Sequence, residues 1–265
     1  RYRNHGDSRT GVGAGERGLE LAVFRAESPL GPWQKALSFT KEDLSDNGQA
    51  VVSIEGASLL LREGSVELFV STEKQQQYPE GIRAFQKPGT GCWDIGMIPA
   101  ECVQELQGSN IRSVIHCADP AALHIKDPVV FNLPGGSGAT ALIFCSHPYT
   151  WASSNTGLAV READADEFSL KSLQLLERGA AWDVAATRIT DRMPVPALGR
   201  LSGMQEMSLY FYDGAECLRS LDENPAAVDR PRGYSCEELG GLACGLDRGF
   251  PELARISAHQ PMFVS

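Results

Sequence analysis

Three carboxylates stand at the mouths of apolar, β-rich runs. They are Glu55 in Ile54-Glu55-Gly56-Ala57, Asp127 in His124-Ile125-Lys126-Asp127-Pro128-Val129-Val130-Phe131, and Asp183 in Trp182-Asp183-Val184-Ala185. A strand start among apolar residues is a costly place for an unpaired charge, so each of these acids needs a reason to be there. Carboxyl groups in pairs do acid/base work: one, in its acid form, donates a proton to a leaving oxygen while the other activates water or attacks directly. The plainer alternatives stay open. Glu55 at a sheet edge can serve as a hydrogen-bonding group, Asp127 can cap the Asp-Pro turn through its side chain, and Asp183 can be a structural partner.

The elements that must carry these acids read as strands. Residues 124–131 and Leu142-Ile143-Phe144-Cys145-Ser146 form a hairpin closed by Pro134-Gly135-Gly136-Ser137-Gly138, a run of turn formers. Gly157 to Arg161 supplies a third strand and Leu170 to Leu176 a fourth. The same plan recurs upstream in Ser53 to Leu61, turned by Glu63-Gly64 into Val66 to Ser71, and downstream in Trp182 to Ile189 and Leu209 to Gly214. His259 to Val264 reads as the first strand of another unit, whereas the stretch from Thr72 to Ala122 is irregular, with its later part expected on outer strands. The starts at Glu55, Asp127, Asp183 and Gln260 lie 72, 56 and 77 residues apart. Second strands end near Ser71, Ser146 and Asp213, and Gly-Leu pairs at Gly18, Gly157 and Gly241 lead third strands. Repeated four-stranded units of this kind suit a β-propeller, in which stacked neighbours bury faces that no unit buries alone. A β-sandwich is the competing architecture. Residues 166–178 have some helical character, but a strand fits the repeat better.

Length and charge narrow the function classes. The chain has 265 residues, enough for one large all-β domain, and residues 1–265 read as a single domain. A net charge of -10, from 34 acidic and 24 basic residues, argues against nucleic acid as a partner, because that affinity comes mostly from Lys and Arg on phosphates. No apolar run approaches the roughly 18–20 residues that span a bilayer. The seven cysteines are odd in number and include no CxxC pair, so reduced thiols are expected and a zinc site is not. Gly11-Val12-Gly13-Ala14-Gly15 lacks the GxGxxG spacing and reads as a loop. No GxSxG elbow supports a serine nucleophile. His116, His124 and His259 are too scattered for a metal triad; no cofactor is called for, although a cation in a central funnel would escape spacing rules. Both ends look cut through strand-like residues, a signal peptide would lie upstream of Arg1, and the expected compartment is the cytoplasm.

Four short motifs carry a resemblance: Ser28-Pro29-Leu30-Gly31-Pro32-Trp33, Ile54-Glu55-Gly56-Ala57, Lys126-Asp127-Pro128 and Phe211-Tyr212-Asp213-Gly214. With them the chain resembles the five-bladed β-propeller glycosidases of the family 43 and family 32 kind. The resemblance implies a central funnel lined by acidic residues on the innermost strands, with a carbohydrate as small-molecule substrate. It implies Glu55 as proton donor, and Asp127 and Asp183 as the other funnel carboxylates. The chain departs from the pattern in two ways. The family's first catalytic Asp would precede Arg1, and Gly-Ala follows Glu55 where Gly-Pro is usual.

Four further residues suit substrate binding on this reading. The ring of Trp182, beside Asp183, suits a sugar face as well as it suits a core. Arg188 lies among apolar residues; it can clamp a carboxylated sugar or pair with a neighbouring Asp. His147 falls in a loop suited to a funnel rim, or is a surface histidine. Asp213 either reaches the ligand or makes a tight Asp-Gly turn. Two rival functions use the same fold: a non-catalytic propeller binding carbohydrate or protein, and a sugar phosphorylase, which would need Arg1, Arg3, Arg188 and His147 to converge into a phosphate pocket.

Overall fold

In the computed structural model the described residues are 2–3, 18–45, 49–86, 91–116, 124–147, 154–215, 219–220, 234–235 and 238–263. They form β-strands joined by turns and short 3-10 segments, with no α-helix among them, and no described helix is long and apolar enough to cross a membrane. The chain divides into two compact units, Arg1–Pro128 and Val129–Ser265.

The first unit opens with a three-stranded antiparallel sheet of β1 (Tyr2–Arg3), β2 (Glu20–Arg25) and β3 (Gln34–Thr40). Between β2 and β3 the two prolines and the glycine of Ser28–Trp33 make a turn that closes through Gly31 N–H to Ser28 O at 2.9 Å. Gly31 takes φ +83° there, a value open to glycine because it has no Cβ. A four-stranded antiparallel meander follows: β4 (Val51–Arg62), β5 (Ser65–Lys74), β6 (Cys92–Ala100) and β7 (Arg112–Ile115). The irregular stretch from Thr72 to Ala122 therefore contains two strands that its weak alternation concealed. β6 is buried on both faces and shows a nearly continuous buried run, the pattern of a covered strand rather than of a half-exposed one. One apolar core joins Leu21, Phe39, Ile54, Leu68, Val70 and Ile98. Full burial is worth about 1.5–3 kcal/mol for each large apolar side chain, against at most about 1 kcal/mol for an exposed pair such as Lys35–Glu20. Core packing therefore holds the sheets together. The last strand to begin in this unit is β8 (His124–Asn132), whose His124 pairs in parallel with Trp93.

In the second unit β8 continues into β9 (Thr140–His147), β10 (Asn155–Arg161) and β11 (Ser169–Leu176), in sheet order. The expected Gly-rich turn joins β8 to β9, with Gly135, Gly136 and Gly138 all at positive φ. A second sheet is ordered β12 (Ala186–Pro194), β13 (Met207–Ala215), β16 (Glu238–Leu246), β17 (Ala254–Arg255), and the short pair β14 (Arg219–Ser220) and β15 (Tyr234–Ser235) stands apart from it. Its core gathers Phe131, Ile143, Leu158, Trp182, Tyr210 and Tyr212. Of the expected strand at 259–264, the described residues 259–263 show only an isolated bridge between Phe263 and Gly240. Pro261, which has no N–H to donate, stands in the way of a continuous ladder. Asp213-Gly214 lies inside β13 and makes no turn. Cys92, Cys102, Cys145 and Cys244 are free thiols; Cys117, Cys217 and Cys236 lie outside the described residues.

Candidate active site

Glu55 owes its direction to a bulge. The β4–β5 register shifts between Glu55 and Ala57, and the extra residue, Gly56, sits at φ +44°. A glycine at positive φ is one of the standard ways to bulge a strand and re-aim the side chain before it. Gly56 also lies directly against Asp127: a Cβ built on it would stand 2.5 Å from Asp127 Oδ1 and 2.6 Å from Asp127 Cα. Two residues 71 positions apart in sequence thus meet only because no side chain separates them.

Asp127 carries an unusual backbone. At φ +56° it is the sole non-glycine residue at positive φ among the described residues. That conformation costs an L-residue about 1–2 kcal/mol, and Asp is one of the few types that visits it. The local compensation is a hydrogen bond of 2.8 Å in which Asp127 N–H donates to Ser71 Oγ. Ser71 is fully buried and stands opposite Glu55 in the ladder, so one β5 residue braces both acids.

Lys126 joins the pair. Its ammonium lies 3.0 Å from Glu55 Oε2 and 4.0 Å from Asp127 Oδ2, and 5.4 Å from the centre of the Trp93 ring. Two attractions, one to carboxylates and one to an aromatic face, hold the lysine in place. Glu55 keeps 38% and Asp127 35% of its side chain exposed, whereas Lys126 keeps 18%. The result is two accessible carboxylates about one mostly covered cation. Behind them His124 is buried edge-on to Tyr78, with the Tyr78 hydroxyl hydrogen-bonded to its Nε2. Burial, with a smaller contribution from Lys126 and against the pull of Glu55, pushes the His124 imidazole down to about 3. It is therefore a neutral support for the start of β8.

Asp183 stands in the second unit and has no exposed surface. Its Oδ2 accepts a hydrogen bond from the Tyr212 hydroxyl at 3.0 Å and pairs with Arg255 Nε at 3.0 Å. Burial pushes the Tyr212 phenol above its ordinary value; its hydrogen bonds to Ser257 and Arg255 oppose this and the nearby Asp183 adds to it. The phenol therefore remains a donor. Trp182, 3% exposed, stacks on Tyr212 with ring centres 5.5 Å apart and donates its indole N–H to Ser257 O at 2.7 Å. One indole face of Trp182 thus packs on Tyr212, and Asp183 is engaged through Oδ2 by Tyr212 and Arg255. Arg188 ion-pairs with Asp213 at 3.7 Å across β12 and β13, the neighbouring-Asp alternative, while Asp213 keeps 42% of its side chain exposed. His147 closes β9, and its side chain lies outside the described residues, as does all of Arg1.

The structure thus brings Glu55 and Asp127 together in one unit. It adds Lys126, Ser71, Gly56 and Trp93, none of which sequence reasoning had singled out for a role. Two signals were present: the lysine lies within the Lys-Asp-Pro motif, and a glycine directly follows Glu55. Among the described residues no three His, Cys, Asp or Glu side chains group as a metal site would need.

No protein-family model matches the sequence, and no curated protein matches it. Solved structures do match. A family 117 glycoside hydrolase from the marine bacterium Zobellia galactanivorans superimposes with a TM-score of 0.50 at 10% identity, over 94% of this chain and 64% of that one. A second glycoside hydrolase gives 0.49 at 12% identity, over 80% of this chain and 58% of that one. The catalytic domain of the Coprinopsis cinerea GH62 alpha-L-arabinofuranosidase gives 0.43 at 8% identity, over 92% and 57%. This chain spans less than two-thirds of the length of each. At such identities the likeness is one of fold alone.

Proposed function

We propose that the two units belong to a five-bladed β-propeller that hydrolyses glycosidic bonds, with Glu55 and Asp127 as its acid/base pair. The observation that carries this reading is the pair itself: two part-exposed carboxylates tied to one lysine and braced by one serine. Glu55, in its acid form, gives its proton to the glycosidic oxygen as the bond to the anomeric carbon breaks. Asp127 supplies the electron pair on the other side. The two distances from Lys126 bound the separation of the acids. Glu55 Oε2 and Asp127 Oδ2 stand at most about 7 Å apart, a bound that includes the roughly 5–5.5 Å of retaining pairs and only the low edge of the roughly 6.5–9.5 Å of inverting ones. Direct attack by Asp127, followed by hydrolysis of the glycosyl ester by water that Glu55 deprotonates, is therefore the mechanism we favour. Asp183 takes a structural part in this scheme.

A second reading has one observation in its favour. Lys126 already satisfies Glu55 with an ion pair, as it would in a carbohydrate-binding module with no turnover. The test is hydrolysis of a panel of aryl glycosides and natural oligosaccharides by the full-length protein, with Glu55→Gln and Asp127→Asn in parallel and thermal unfolding as the folding control. Turnover of one sugar class that both substitutions abolish in folded protein supports hydrolysis. Saturable sugar binding without turnover, insensitive to either substitution, supports the binding module.

A further inference from the structure

Lys126 and Asp127 are neighbours in sequence, and adjacent side chains of a regular strand point to opposite faces. Here they stay together. Asp127 departs from strand dihedrals at φ +56°, and its Oδ2 lies 4.0 Å from the Lys126 ammonium, which reaches Glu55 Oε2 at 3.0 Å beside the bulge at Gly56. A backbone of this kind persists only where its surroundings over-determine it. Bulge and left-handed residue together leave one cation within reach of two acids.

We infer that Lys126 is the positioning residue of the acid pair: its one ammonium is shared by Glu55 and Asp127 and follows the negative charge from one to the other, a passage that rests on the hydrolysis proposed above. Lys126 keeps only 18% of its side chain exposed, and a cation so covered needs an anion beside it. Ionised Glu55 fills that place. As proton donor, however, Glu55 is neutral and gives up the ion pair; the anion then within reach is Asp127. In the proposed scheme one acid, and only one, is charged at each stage. As Asp127 forms its bond to the anomeric carbon, the bond from that carbon to the glycosidic oxygen breaks and the leaving oxygen takes the Glu55 proton. The charge has then passed from Asp127, now a neutral ester, to Glu55. Water next attacks the anomeric carbon while Glu55 takes its proton, the ester oxygen leaves with its electron pair, and the charge returns to Asp127. One ammonium balances the pair throughout, and a small shift is enough, since 3.0 Å on one side stands against 4.0 Å on the other.

Two features permit that shift. Lysine is a point charge on a flexible stem with three donors, and the Trp93 ring attracts it over a face rather than at one atom. Nearby, His124 is neutral and bonded to the Tyr78 hydroxyl, and Ser71 Oγ accepts the Asp127 N–H. Glu73, opposite Trp93 in the β5–β6 ladder, is buried with Oε1 on the Gly91 N–H at 2.6 Å.

A crystal structure of the full-length Glu55→Gln variant tests the sharing whether or not the protein hydrolyses sugars. The ammonium is expected to close on Asp127 Oδ2 to about 2.7–2.9 Å. An ammonium that stays beside position 55, or withdraws into solvent, would overturn the inference. The pH profile of kcat/KM is the second measurement. Lys126→Met keeps the stem and removes the charge, so both limbs should move to higher pH by about one unit, and Lys126→Arg, which keeps the charge, should hold them near the wild type. A lysine with a merely structural part would lower the rate and move neither limb, and a fixed partner of one acid would move one limb alone; either result refutes sharing. Absence of turnover in the wild type would remove the hydrolytic reading and the passage of charge with it, while the Glu55→Gln structure still decides whether the two acids share the lysine.

Discussion

Replacing Gly56 by Ala should damage both stability and the acid pair, and Gly64 supplies the control that separates the causes. Both glycines hold positive φ, +44° at Gly56 and +70° at Gly64. An alanine in either place bears the left-handed backbone cost of about 1–2 kcal/mol. At Gly64, in the β4–β5 turn, an added Cβ meets nothing within 4 Å, so that cost is the whole effect. At Gly56 the methyl would lie 2.5 Å from Asp127 Oδ1, 2.6 Å from its Cα and 3.0 Å from its N. Two of those atoms are backbone and cannot rotate away, so an overpacking cost of about 1–3 kcal/mol adds to the first. Gly56→Ala should therefore lose about 2–5 kcal/mol and Gly64→Ala about 1–2 kcal/mol in urea unfolding followed by circular dichroism. Because the displaced residue is Asp127, Gly56→Ala should also lose glycoside turnover per folded molecule, while Gly64→Ala keeps it. Equal losses of stability in the two variants, with activity intact in both, would show that Gly56 does not hold Asp127 in place.

Three further outcomes are expected. The first released sugar should keep the anomeric configuration of the substrate in NMR of the initial product, and inversion would exclude direct attack by Asp127. The folded protein leaves His124 neutral down to about 3, whereas the unfolded chain protonates it near 6.5. Stability should therefore fall as pH drops through that window, by up to about 1.4 kcal/mol per pH unit, and His124→Asn should flatten the slope of urea midpoints between about pH 7 and about pH 4; an unchanged slope would locate the acid sensitivity elsewhere. Asp183→Asn removes the fully buried anion from its pair with Arg255, which keeps 19% of its side chain exposed, and should cost up to about 3–5 kcal/mol in chemical denaturation, with turnover per folded molecule retained. Loss of turnover at unchanged stability would return Asp183 to the catalytic set.

Much of the strand plan was legible in the sequence because it is local. Gly-Pro punctuation placed the turns at Ser28–Trp33, Glu63-Gly64 and Pro134–Gly138, and β-rich runs marked β4, β5, β8, β9, β10, β11 and β13. β6 escaped, since a strand covered on both faces loses the alternation that identifies it, and β7 was placed only as part of the outer strands expected late in Thr72–Ala122. The acids at Glu55 and Asp127 stood out by type and position alone. Their partnership did not: it depends on a one-residue bulge that turns Glu55, on a left-handed backbone at Asp127, and on the absence of a Cβ at Gly56. The same holds for Trp182 and Asp183, whose aromatic-beside-acid pattern suits a sugar site and a core equally; their partners Tyr212 and Arg255, 29 and 72 residues beyond Asp183, arrive from β13 and β17. Sequence thus determined the charges and most of the strands and turns. Tertiary structure alone decided which charges are exposed together and which are buried in pairs, because that depends on side-chain direction and on contacts between distant strands, and a single bulge or one missing methyl group reverses either.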